Sequence, residues 1–244
     1  MWPFDRDPER RIQKLRARRD VKSLIQVFQA TDSEYIAASA ARALGEIGDP
    51  SAAQVLLDAV GRTIIRGDHI WGMDVLRKLV TEALIKMGEP VIPYVVSAME
   101  KYVATEEWLG ARVTDEVLMS LGVPGAEALT ALTKHADRRV RASAVLVLGR
   151  LLDQVICGVL YLILADRFPD VARPVAELGS AGIMAVRPIC KPLGISVDGS
   201  VAAQAMGERT YKAAIEALDA ALEDKDSWVR EKAQEALRQI HWGE

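Results

Sequence analysis

Three times in the first half of this chain an alanine- or leucine-rich run ends on a glycine with a proline two residues later: Gly48-Asp49-Pro50, Gly88-Glu89-Pro90 and Gly122-Val123-Pro124. A glycine can close a helix in the left-handed conformation, and a proline suits the first turn of the next helix. The flanking segments, such as Ala40-Ala41-Arg42-Ala43-Leu44 before the first break and Val55, Leu56, Leu57 and Val60 after it, carry apolar residues at helical spacing. Helix, break, helix is the predicted unit, and the three glycines lie 40 and then 34 residues apart. Such a unit cannot bury its apolar face alone. Stacking it on its neighbours does, so the repeat constrains the fold more than any single residue.

A second signature recurs on the same units. Asp137-Arg138-Arg139-Val140-Arg141 and Asp226-Ser227-Trp228-Val229-Arg230 each open an alanine-rich helix. The aspartates Asp137 and Asp226 are placed to cap the helix N-terminus with a carboxylate oxygen. One turn later, Arg141 and Arg230 are placed to reach the acid of a neighbouring unit, which predicts a ladder of charge-assisted hydrogen bonds along the stack. Trp71, Trp108 and Trp228 fall near the starts of the inferred second helices, and Trp242 ends the array. They are expected to wedge between repeats.

These residues resemble HEAT repeats, and specifically the short alanine-rich type named after the phycobilisome lyase subunits, with its ALGEIGDP and D-x-x-VR signatures. The resemblance is clear over 32–60 and 211–240, looser across 74–151, and faint from about 154 to 208. It implies an all-α fold, an α-α superhelix of about five or six antiparallel helix pairs, with the second helix of each pair lining the concave side. It also makes Gly48, Asp49, Pro50, Gly88, Pro90 and Gly122 turn residues. Asp137, Arg141, Asp226 and Arg230 become the ladder.

Composition agrees with this and closes off other classes. Half of the 244 residues are hydrophobic, yet only 5% are aromatic, with 3 Phe, so the core must be built from Ala, Leu, Val and Ile. Ala and Leu lose little entropy in a helix, whereas a sandwich or barrel would call for more β-branched and aromatic residues. A net charge of −3 and a pI near 5.8 argue against a surface coated for nucleic acid. The cysteines, Cys157 and Cys190, make neither a disulfide framework nor a metal-ligand spacing, and a reduced, cytoplasmic compartment is expected. The longest apolar run, Val155 to Leu164, is about half of the roughly 20 residues a membrane helix needs, so no membrane span is expected.

The chain reads as a single repeat domain over 1–244. Residues 1–20 form a charged capping helix, 21–152 regular repeats, 153–209 an irregular, degenerate repeat or insertion, and 210–244 a terminal repeat. The irregular stretch is set by its breakers: Pro169, Pro174, Pro188 and Pro192 join Gly179, Gly182, Gly194 and Gly199. The apolar run 155–164 needs cover. A loop folding back from Lys191 to Ala202 is one answer, and a homodimer through Val155–Leu164 is another.

Catalytic chemistry is not legible. Three histidines, His69, His135 and His241, include no His-Glu or His-x-x-x-His pair, so no metal is expected. Deoxyhypusine hydroxylase, built from similar repeats, holds two irons with His-Glu dyads. Their absence excludes that reaction. Neither cysteine neighbours a histidine in sequence, and no glycine-rich phosphate loop occurs. No cofactor is expected. The favoured function is a non-enzymatic scaffold that binds another protein on its concave surface. Candidates on that surface are Arg42, Glu46, Lys78, Glu82, Lys86, Asp115, Arg138, Arg139 and Arg150, whose mixed signs suit a protein better than a phosphate backbone. Two alternatives stand beside it: a phycobilin lyase or chromophore chaperone subunit, and a nucleic-acid binder, which the interrupting acids disfavour.

Overall fold

The structure is a computed structural model that describes residues 7–65, 70–177 and 199–240, leaving aside the side chains of 34, 61–65, 70–74, 108–109, 174, 176–177 and 199–200. Among these residues every regular element is helical. The chain divides into two compact units, 1–125 and 126–244.

In the first unit α1 (Pro8–Ala17) is polar except for buried Ile12, and Asp7 caps it by accepting from the Arg10 amide at 3.1 Å. Asp20 likewise caps α2 (Val21–Ala30) through the Ser23 amide. α3 (Glu34–Ile47) is followed by α4 (Ala53–Ile65), α5 (Ile70–Met87), α6 (Ile92–Thr105) and α7 (Trp108–Ser120). The predicted breaks are where the sequence placed them. Gly48 ends α3 at φ 74, ψ 22, the Asp49 carboxylate accepts from the Ser51 amide at 2.9 Å, and Pro50 opens a short 3-10 turn into α4. Gly88 and Gly122 also take positive φ, and Pro90 sits in the 3-10 turn Glu89–Val91.

Helix packing in this unit is set by small residues. α3 and α5 lie side by side, and a methyl built on Gly45 would stand 2.5 Å from the Ala83 Cα, so only glycine permits this approach. α6 is tied to α4 by fully buried Tyr102, whose hydroxyl donates to the Leu57 carbonyl. Its ring packs directly on Gly110 of α7.

The second unit holds most of α8 (Val123–Leu132), then α9 (Arg138–Arg167), α10 (Pro169–Glu177), α11 (Gly199–Met206), α12 (Glu208–Leu222) and α13 (Ser227–Ile240). Among the described residues, the helix pairs α2–α3, α4–α5, α6–α7 and α12–α13 each pack together. α9 and α13 repeat the small-residue device of the first unit. A methyl on Gly149 would stand 2.5 Å from the Ala236 Cβ. Ala83 and Ala236 both sit in a Glu-Ala-Leu triplet, Glu82-Ala83-Leu84 and Glu235-Ala236-Leu237.

Two expectations need correction. The boundary set between 152 and 153 falls inside one continuous helix, because α9 runs 30 residues to Arg167 with no proline before Phe168-Pro169. The run 155–164, which needed cover, is largely covered: Ile156, Cys157, Val159, Leu160 and Leu164 are buried, and α10 and α11 pack on α9. Leu160 and Leu164 form a small core with Ala172 of α10, while Leu162 stays 67% exposed. Finally, Trp228 does not wedge between repeats but is 41% exposed at the start of α13.

α9 is also long and apolar enough to cross a bilayer, with an 18-residue window of mean hydropathy 1.8 that the ten-residue run alone did not reveal. Half of that window is buried inside the protein. The side chains of Trp71 and Trp108, and all of His69, His241, Trp242, Cys190 and the breaker-rich stretch 178–198, lie outside the described residues. So does most of the loop expected to fold back from Lys191.

Candidate functional site

Sequence periodicity placed Arg42 and Glu46 on one stripe and Lys78, Glu82 and Lys86 on another. The structure sets these stripes on neighbouring helices, α3 and α5. Residues one and two turns apart share a helix face, so Tyr35, Ala38, Ser39, Arg42 and Glu46 line one edge of a groove, and Val75 and Leu79 line the other. α1 closes it with Glu9, Gln13 and Arg16, leaving a volume of about 520 Å³. Tyr35 and Val75 are 63% and 52% exposed, which is unusual for large side chains beside a packed core.

The charges in this groove are unequally committed. Arg16 is paired with Glu46, and the Tyr35 hydroxyl donates to the Glu9 carboxylate. That hydrogen bond, with the negative charge of Glu9 behind it, raises the Tyr35 pKa above its ordinary value. Both acids that line the groove are thus engaged. Arg42 lines the same groove, close enough to Tyr35 to oppose that rise, and Lys78 is exposed one turn beyond Val75. Among the described residues neither is in an ion pair. Lys86 is exposed further along α5, and Glu82 is half-buried between the two lysines.

Asp115 lies half-buried on α7, with Oδ1 enclosed. The link from α5 to α7 is instead Arg77 to Glu116 at 3.2 Å, a pair the sequence did not announce. Glu9, Arg16 and Tyr35 were missed too. Only the docking of α1 on α3 brings Glu9 and Arg16 to the stripe, on which Tyr35 already stands.

The second unit has its own polar centre. Arg141, 5% exposed, donates through Nε and Nη2 to the two Asp224 oxygens at 2.8 and 2.9 Å, and through Nη1 to the carbonyls of His135 and Ala136. This fork holds the Asp224 carboxyl below the usual carboxylate range and raises the arginine. The predicted ladder therefore exists at one rung, but its acid is Asp224 rather than Asp226. Asp226 is used otherwise: it caps α13 through the Trp228 amide and pairs with Arg138 at 3.0 Å. Arg230 donates to the Asp224 carbonyl at 2.7 Å, fixing the same turn, and Asp137 caps α9 through the Arg139 amide at 2.8 Å.

Of the nine surface candidates, Arg42 and Glu46 line the groove, Lys78, Glu82 and Lys86 stand on the neighbouring helix α5, Asp115 is on α7, and Arg138, Arg139 and Arg150 belong to the other unit. Arg138 pairs with Asp226 just before α13, and its side chain stays 61% exposed. Arg139 and Arg150 lie on the exposed edge of α9. A second cavity of about 630 Å³ in this unit is lined by Lys134, His135, Arg141, Glu216, Asp224 and Lys225 among others, and is structural at its heart.

Comparison with known families fits the stretch where the turn geometry is most regular. Residues 36–61, which span α3, the Gly48–Pro50 break and most of α4, match the model for the PBS lyase HEAT-like repeat. Over those residues the chain is similar to a PBS lyase HEAT-like repeat. No curated protein matches it. Among solved structures, an engineered protein is 18% identical over 91% of this chain and 96% of its own, with a TM-score of 0.28. The likeness to HEAT-like repeats thus rests on that match and on the all-helical architecture of the described residues.

Proposed function

We propose that this HEAT-like protein is a non-enzymatic, cytoplasmic scaffold that binds another protein, and that the face made by α1, α3 and α5 is where it does so. The observation that carries this reading is the groove itself. Exposed Tyr35 and Val75 stand over a floor of Ala38, Ala43 and Leu79, on helices whose spacing is fixed by backbone contact at Gly45. A preformed surface of this kind loses little freedom on binding, so modest contacts suffice. Mixed charge around an apolar floor suits a protein partner.

The test is site-specific photocrosslinking in the native cell. A photoreactive residue at Val75 should trap a discrete protein, whereas the same residue at Gln54, exposed on α4, should not. Equal trapping at both positions, or none at Val75, would refute the reading. Purified protein that carries a bound tetrapyrrole, visible by its absorption, would replace it with pigment binding.

A further inference from the structure

We propose that the groove between α1 and α5 takes an acidic peptide segment of the partner, its carboxylates meeting Arg42 and Lys78 and an apolar side chain lodged between Tyr35 and Val75. The proposal rests on the scaffold reading above and specifies its ligand. It follows from which charges are already used. Glu9 accepts from Tyr35 and Glu46 from Arg16, so a basic partner would find both lining acids engaged and would have to break an internal contact for each one it used. An acidic partner breaks nothing. The guanidinium of Arg42 offers paired donors that match a carboxylate, and Lys78 adds a second positive charge one turn beyond Val75.

The size of the groove argues for a segment rather than a broad surface. α1 has 10 residues, about 15 Å of helix, so the groove it walls spans about five residues of extended chain. Nucleic acid is also anionic, but the floor of the groove is apolar.

The test is selection of a displayed random twelve-residue peptide library on the full chain. Enriched peptides are then synthesised and measured by fluorescence polarisation. Acidic peptides with an aromatic or aliphatic residue should be enriched. Their affinity should fall at least about tenfold in the Arg42→Glu, Lys78→Glu double variant, and also in Val75→Ser, but not in Lys212→Glu, whose charge lies in the other unit. Arg42, in the groove, and Lys78, beside it on α5, are both exposed, so thermal unfolding of the double variant should match the parent. Enrichment of basic peptides, failure to enrich any, or affinity unchanged in the double variant would overturn the acidic-peptide assignment. Binding of a labelled DNA duplex with steep salt dependence would overturn it in favour of nucleic acid. Crosslinking at Val75 reads the scaffold itself, so a trapped partner alongside a failed selection would sink the ligand class and keep the scaffold.

Discussion

Replacing Asp224 by asparagine removes one charge while keeping shape, and the structure sets the expected cost. Arg141 gives Asp224 two charge-assisted hydrogen bonds, at 2.8 and 2.9 Å, and the two side chains are only 6% and 14% exposed. Hydrogen bonds to charged groups contribute about 1.5–3 kcal/mol each, and an asparagine carbonyl retains roughly one neutral bond's worth, about 1 kcal/mol. The variant should therefore lose about 3 kcal/mol, in line with the cost of breaking a buried ion pair. With a urea dependence of about 2 kcal/mol/M, the midpoint of the transition reporting the second unit should drop by about 1.5 M. The pH dependence follows with a definite sign. The folded-state pKa of Asp224 is depressed, so its contribution is present above the unfolded value near 3.8 and is lost as pH falls through the lower folded value. The acid limb of stability should accordingly be flatter in the asparagine variant. Replacing both partners with Asp224→Leu and Arg141→Met should cost less than either single change, because no unpaired charge is left behind. A loss below about 1 kcal/mol in Asp224→Asn, or additive losses in the double variant, would refute the claim that this fork anchors the unit.

Glycine substitutions should diverge in sign. Gly45→Ala and Gly149→Ala, each driving a methyl into the facing helix, should destabilise by about 1–3 kcal/mol in chemical denaturation, whereas Gly158→Ala, inside α9 with nothing near its added methyl, should stabilise by about 0.5–1 kcal/mol. Gly48→Ala should cost about 1–2 kcal/mol, read by the same assay, since φ 74 strains any residue with a β-carbon. Alkaline titration followed by tyrosinate absorbance should find Tyr35 titrating above its ordinary value, and Glu9→Gln should return it toward that value by removing the acceptor charge.

The breaks were legible because they are local: a glycine and a proline within three residues dictate a helix end and a helix start whatever surrounds them. The stripes on α3 and α5 were legible for a related reason, since helical periodicity alone places Arg42 with Glu46 and Lys78 with Glu82 and Lys86. What escaped is tertiary. Tyr35 stands on the same helix as Arg42, but its hydroxyl partner Glu9 is brought by α1 from 26 residues away. The acid for Arg141 lies 83 residues off, and the repeated D-x-x-VR pattern pointed to Asp226, which capping and Arg138 had already claimed. The continuity of α9 was obscured by the prolines beyond it, which colour a sequence window although they act only on their own turns.

The paired contacts Gly45–Ala83 and Gly149–Ala236 have a mechanical consequence. At those two levels no rotatable side chain lies between the helices, so the step from one layer to the next is as thick as the backbone and cannot be tuned by rotamer changes. Each behaves as a hard stop in its own stack, and bending must be taken up at the ends of the helices instead. Because both stops use the same Glu-Ala-Leu triplet as the receiving side, they act as interchangeable couplings. A chimera in which α13 carries the exposed face of α5 around an unchanged Glu235-Ala236-Leu237 should still seat on α9, and that would make new binding faces exchangeable one layer at a time.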